Sequence, residues 1–275
     1  MLVLVISTFL FISLVVIIIF KPVVTGLKRR WIMAQPFPVE WEAIICDKVI
    51  IYRHLPASLK DQLKKYVMVF LDEKRFEGCD GLEITDEIRV TIAAEACILL
   101  LNRQPHFYPD LTTVLVYRHS YFAGSQRPVG HVYIETTEER AGESWLRGEV
   151  VLAWDCVSAG QHVVMHEFAH QLDQEDGLVD GSPALGLPSR YAAWAHVLGD
   201  EYEKLRDDIE RDGSHVLDEY GATNPAEFFA VATEAFFNQP HELKASHPAL
   251  YAQLSGFYRV DPGEWLSCPT ATHVA

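Results

Sequence analysis

The first twenty positions, MLVLVISTFLFISLVVIIIF, are apolar, interrupted only by Ser7, Thr8 and Ser13 and free of charge. At about 1.5 Å per residue such a run makes about 30 Å of helix, the thickness of a bilayer's hydrocarbon core. It predicts a membrane-spanning anchor over residues 1–22. A cleavable leader wants a basic start, a shorter apolar run and a small-residue cleavage site. Here no Lys or Arg precedes the run, and Lys21-Pro22-Val23-Val24 follows it. Residues 23–36 read as a juxtamembrane linker and 37–275 as one globular domain. Within that domain Leu59, Leu63, Val67, Phe70 and Leu71 recur at three- and four-residue spacing, which predicts an amphipathic helix from Pro56 to Phe76. Thr85 to Asn102, rich in Ala, Ile and Leu, reads as a buried helix. Asp110–Tyr117 (DLTTVLVY) and Glu149–Trp154 (EVVLAW) predict strands. The polar, Gly-containing stretch between them offers His131–Ile134 as a further strand. Helices dominate from there to about residue 258, so the fold class is α+β: mainly helical with a small sheet.

Charge sharpens this picture. Lys21, Lys28, Arg29 and Arg30 all lie on the C-terminal flank of the apolar run, which by the positive-inside rule keeps the large domain in the cytoplasm. Residues 1–30 contain no acid. From Trp31 onward 19 basic residues face 38 acidic ones, a formal charge of −19. Such a surface repels phosphate backbones and argues against direct nucleic-acid binding. The five cysteines (Cys46, Cys79, Cys97, Cys156, Cys268) form no C-x-x-C pair. Their odd number and wide spacing fit free thiols in a reducing compartment rather than a disulfide framework or a thiolate metal site.

The sharpest chemical signal is His166-Glu167-Phe168-Ala169-His170. On a helix, residues four apart share a face one turn apart, so two imidazoles can close on one zinc ion. Glu167 between them can take a proton from a zinc-activated water as that water attacks a carbonyl. Ser158 and Gln161 suggest a capping box at the start of this helix, and Gly177 a stop. By composition alone H-E-x-x-H turns up in roughly a few per cent of chains this long. A pair of surface histidines is the alternative, disfavoured because the motif follows a strand on a capped helix with small Ala169 between the ligands. His162 lies on the same face, but three histidines span too far to share one ion.

A third ligand is required, and no histidine follows closely: Gln171 to Asp176 reads QLDQED. A carboxylate on a later helix can serve. In Tyr220–Phe237 (YGATNPAEFFAVATEAFF) Asn224 suits an N-cap, Pro225 the first helical position and Glu227 the third. Glu227 then competes with a mere capping role, and Glu234, seven residues on, is the rival ligand. Position alone separates the two only slightly, in favour of Glu227. Asp173, one turn beyond His170, can orient an imidazole or sit solvated at a helix end, and Glu234 can play the same orienting part. The Glu149–Trp154 strand can present an edge to substrate, or be core sheet, the preferred reading.

The two stretches HEFAHQLD and Y-G-A-x-N-P-A-E-F-F-A-V together closely resemble the Mlc titration factor A family of bacterial zinc-dependent peptidases. A like Y-G-x-x-N-x-x-E-F-F-A segment also makes the chain similar to the catalytic domain of anthrax lethal factor. The resemblance implies a gluzincin-like domain, with one Zn²⁺ held by His166, His170 and Glu227, and Glu167 as general base. It further implies that Tyr220 hydrogen-bonds the oxyanion of the tetrahedral intermediate. It implies peptidase activity of aminopeptidase type on a peptide or protein substrate, or a binding protein that sequesters a Mlc-like transcriptional repressor with hydrolysis incidental. The best-known titration factors lack an N-terminal anchor. With one, the protein is expected in a bacterial inner membrane, single-pass, touching lipid through residues 1–20 with its catalytic domain facing the cytoplasm.

Overall fold

A computed structural model describes residues 20–103, 105–129, 132–140, 142–145, 148–211 and 216–265. Residues 1–19 of the expected anchor, and Cys268, lie outside them. No helix among the described residues is long and apolar enough to cross a membrane.

Residues 20–33 are helical (α1), so most of the stretch expected to link anchor and domain is regular structure. Three helices follow: α2 (Val39–Lys48), α3 (Ile50–His54) and α4 (Ala57–Glu73). α4 buries the expected stripe, with Leu59, Leu63, Val67 and Phe70 inside. Helix α5 (Asp86–Ile98) starts where Thr85 accepts the Ile88 N–H at 3.3 Å. It is buried on nearly every side, packed by α2, α4 and α7, the helix that carries the histidine motif (Val163–Asp173). The chain turns off α5 at Asn102, whose φ of 55° is the left-handed conformation that asparagine tolerates.

The strands are β1 (Arg75–Gly78), β2 (Thr113–Tyr117), β3 (Tyr121–Val129), β4 (Val132–Arg140), β5 (Gly142–Trp145) and β6 (Glu149–Ala153). One sheet runs β1-β2-β6-β5, and β3 and β4 form a separate antiparallel hairpin. β1, β2 and β6 are parallel, with Phe76, Val114 and Val150 in register, while β5 runs antiparallel to β6 as an end strand. Val114, Val116, Val150 and Leu152 are fully buried, the sheet's contribution to the core. β6 is thus an interior strand, and the sheet edge next to α7 belongs to β5.

After the short α6 (Trp154–Ser158) come α7 and the 23-residue α8 (Pro188–Glu210). α9 (Pro225–Asn238), α10 (Pro240–Ser246) and α11 (Pro248–Tyr258) complete the helical half at the expected residue. The fold is α+β, as the periodicity predicts. The capping box at Ser158 is not formed. Ser158 Oγ donates to the Asp155 carbonyl at the end of α6, and Gly160, at φ 78°, turns the chain before α7 begins. His162 occupies the N-cap of α7 without a side-chain cap. Gly177 does act as a stop, closing a 3-10 turn (Gln174–Asp176) at φ 89°.

Candidate metal centre

α7 is held from beneath by Phe168, whose ring lies 5.7 Å from Phe70 and 4.9 Å from Tyr108. α9 packs across α7, with Phe228, Phe229, Ala230, Ala232, Phe236 and Phe237 at most 1% exposed. Its first turn is fixed as the sequence suggests. Asn224 accepts the Glu227 N–H at 3.0 Å and Pro225 occupies the first position. Capping and metal-site roles therefore do not compete for Glu227: its backbone is capped by Asn224 while its side chain turns into the site.

There the groups converge. His166 Nε2 lies 3.0 Å from Glu227 Oε2, His170 Nε2 lies 3.2 Å from the same oxygen, and the two Nε2 atoms are 3.2 Å apart. A tetrahedral zinc with ligands at about 2.05 Å would separate them by about 3.3 Å. The three ligand atoms are thus already spaced as a tetrahedral ion would hold them, in a cluster that could take a metal. Electrostatics agree. Burial opposes a charge on His166, but its hydrogen bonds to Glu227 and Glu234 win and raise its pKa to about 10. Glu227 is raised by burial yet held down to about 2 by His166 and His170. The cavity favours positive charge, and the donor set suits zinc.

Glu234 resolves differently from its rival. Its Oε1 meets His166 Nδ1 at 2.6 Å, on the far side of the ring from Nε2. It fixes that imidazole's tautomer and orientation and leaves Nε2 for the centre. Asp173 makes no hydrogen bond to an imidazole, although it feels the charge of His170, and it is fully buried rather than solvated at a helix end. It accepts the Gly181 N–H at 2.9 Å, while Trp194 Nε1 donates to the Gly181 carbonyl at 2.9 Å. Gly181 (φ 76°) lies so close to the Pro225 carbonyl that any Cβ would collide with it. Asp173 therefore ties the end of α7 through this loop to the start of α9, two residues before Glu227. Burial lifts its carboxyl to about 6.

The cluster opens onto a cleft of about 670 Å³, lined among others by Gly142, Ser144, Glu167, Gln174, Tyr220 and Glu234. Glu167 is buried beside the two histidines. Tyr220 stands on a 3-10 turn (Glu219–Ala222), where Asp218 accepts its backbone N–H at 2.8 Å. Its ring, half exposed, is 6.0 Å from that of His166. His162 lines the same cleft but stays outside the ligand cluster. The structure thus brings His166, His170, Glu227, Glu167 and Tyr220 to one place.

Sequence reasoning missed Gly142. A Cβ there would stand 2.6 Å from Glu167 Oε1 and 2.7 Å from both Glu167 Cγ and Val163 Cγ1. Only glycine lets the backbone of β5 lie directly against Glu167. Ser144, two residues along, accepts hydrogen bonds from Gln171 at 2.7 Å and Gln174 at 3.1 Å, clamping the strand to the helix. The only signal in the sequence was an isolated glycine in a polar stretch.

Comparison with known proteins fits this centre. The family model described as glucose-regulated metallo-peptidase M90 matches residues 24–259. The chain belongs to the M90 family. A relative from Synechocystis sp., named only as an uncharacterized protein, is 39% identical over 244 residues, covering 86% of this chain and 89% of that one. Mlc titration factor A of Klebsiella pneumoniae is 31% identical over 232 residues, 81% of this chain and 86% of its own. Mlc titration factor A of Salmonella gallinarum is 30% identical over 241 residues, 84% and 89%. These matches carry the M90 resemblance, whereas the one to lethal factor rests on motif residues alone. Membership of a metallopeptidase family implies a metal, and the His-His-Glu cluster is where the described residues can hold one.

Proposed function

We propose that this M90 protein is a zinc-dependent peptidase of gluzincin type, with His166, His170 and Glu227 as ligands. The observation that carries it is the mutual approach of three ligand atoms to 3.0–3.2 Å in a cleft that also holds Glu167. Zinc, when bound, supplies a Lewis acid that acidifies a water and polarises the scissile carbonyl. Glu167 takes the proton of the attacking water and passes it to the leaving amine. The Tyr220 hydroxyl donates to the carbonyl oxygen as negative charge builds there. Glu234 keeps His166 in the ligating tautomer. β5 is the sheet's end strand and both Gly142 and Ser144 line the cleft, which supports an extended peptide lying along it as a further strand. Aminopeptidase-type cleavage of short peptides or exposed protein termini is the form the family resemblance suggests.

The name Mlc titration factor A borne by relatives supports a second reading: a binding protein for a Mlc-like repressor, held at the membrane by residues 1–22 with its domain in the cytoplasm. An intact Glu167 favours the peptidase, since a zinc that only braces a fold has no use for a general base. Glu167→Gln is expected to keep about one zinc per chain and to lose about 10²-fold or more in peptide cleavage. Full activity in that variant refutes the mechanism. Capture of a repressor by the same inactive variant would show that binding stands apart from hydrolysis.

A further inference from the structure

α1 has two unlike faces. One is pinned to the domain. Ile32 is buried, and Arg29 binds Glu73 through Nε and Nη2 at 2.7 and 2.8 Å and donates to the His106 carbonyl at 3.2 Å. The Arg29 guanidinium lies 4.7 Å over the Phe107 ring, and Lys28 pairs with Asp72 at 2.5 Å. The helix therefore has a fixed orientation. On its opposite face Phe20, Val23, Val24, Leu27 and Trp31 are each 55–66% exposed. At 100° per residue these five fall within an arc of about 100°, a continuous apolar stripe. Lys21 and Lys28 border it on one side and Arg30 on the other.

We propose that this stripe is a bilayer-contact surface that seats the domain on anionic phospholipid. Three features choose this occupant. The stripe begins at Phe20, where the uncharged apolar run of residues 1–20 ends, so the two adjoin in sequence. Lys28 is paired with Asp72, but Lys21 on one side and Arg30 on the other stand at the level where lipid phosphates lie when apolar side chains enter the acyl boundary. The rest of the domain, at −19, is repelled by an anionic surface, which favours the cation-bordered edge as the one that faces it. A second copy packed on the stripe would instead bring like-charged borders together. The proposal does not depend on the peptidase reading. It concerns a face away from the cleft and survives an inactive enzyme.

The test uses the full chain in mixed phosphatidylglycerol and phosphatidylcholine vesicles. The fluorescence difference between the wild type and Trp31→Phe isolates the Trp31 signal from the other tryptophans. That signal is expected to be blue-shifted and quenched by lipids brominated near the headgroup end of their acyl chains. Val24→Asn with Leu27→Asn is expected to abolish shift and quenching while residues 1–20 still carry the protein into the vesicle pellet. Both positions are exposed, and an unchanged thermal melt confirms folding. A Trp31 at its aqueous wavelength in the wild type overturns the proposal, as does quenching that survives the double variant. Shielding of Trp31 from both bromolipid and aqueous iodide marks a seam between copies and overturns it too.

Discussion

Gly142→Ala adds one methyl group at the point where β5 crosses Glu167. Ordinary van der Waals contact with a Cβ begins at 3.4 Å, and the added carbon would stand 2.6 Å from Glu167 Oε1 and 2.7 Å from its Cγ and from Val163 Cγ1. Roughly 0.8 Å must therefore be found, as the difference between those contacts, by two routes. Glu167 can swing away, since Oε1 is the end of a flexible side chain, or β5 can lift from α7 against the hydrogen bonds to Ser144. The first displaces the proposed base and the second displaces the strand proposed to hold substrate. A misplacement of about 1 Å at a reacting group costs on the order of 10² in rate, and overpacking a tight contact costs about 1–3 kcal/mol of stability. The expected variant is folded, melts a few degrees lower, retains its zinc and has kcat reduced about 10²-fold. Zinc content, a thermal melt and steady-state peptide cleavage measure the three. Wild-type kcat in a folded Gly142→Ala protein would refute the placement of Glu167 as base beneath β5.

Other outcomes are expected from the same geometry. Glu227→Gln should nearly abolish zinc retention, whereas Glu234→Gln should weaken it about 10–100-fold. Competition with a chelator ranks the two, and equal losses would put both acids on the metal. Tyr220→Phe is expected to lower kcat about 10²-fold with zinc content and KM little changed, because the phenol acts only on developing charge. Unchanged kcat removes Tyr220 from the chemistry. Glu95 Oε2 is buried with no hydrogen-bond partner among the described residues, and burial raises its pKa from 4.5 to about 8. The folded state then holds a proton that the unfolded chain releases, so stability falls as pH rises from 4.5 to 8, by about 1.4 kcal/mol per unit. Glu95→Gln should flatten that slope and stabilise the protein by about 3 kcal/mol at pH 7. Denaturant melts at pH 5, 7 and 9 check the sign, and an unchanged slope contradicts it.

Long-period signals in the chain were legible. The Leu59–Phe70 stripe, the Ala-rich α5 and the Val-rich β2 and β6 lie where their spacing puts them, because burial of one face or of all faces fixes those residues. β1 and β5 were not legible. Arg-Phe-Glu-Gly follows a helical stripe without a break, and its strand state comes from pairing with Val114–Val116 rather than from its own pattern. Gly-Glu-Ser-Trp owes its extended form to pairing with β6 and packing against α7. Short edge strands carry little periodicity, and tertiary partners decide them. The Ser158 capping box failed for a related reason: the pattern S-x-x-Q fits either side of a break, and Gly160 puts the break inside it.

At the site, spacing sufficed for ligands on one helix and ran out between helices. His166 and His170 share a face because both ride α7, which four-residue spacing guarantees. Glu227 and Glu234 share a face of α9 just as surely, so no pattern within α9 could say which acid reaches Nε2. That choice is made by how α9 crosses α7, and the crossing is set by contacts far apart in sequence, including Asp173 through Gly181 to Pro225. The same crossing gives the two acids complementary tasks on one imidazole, Glu227 at Nε2 and Glu234 at Nδ1. Read from sequence they were rivals for one role. In the fold each needs the other, because a ring gripped at Nδ1 presents Nε2 in one direction only, and Glu227 waits at 3.0 Å in that direction.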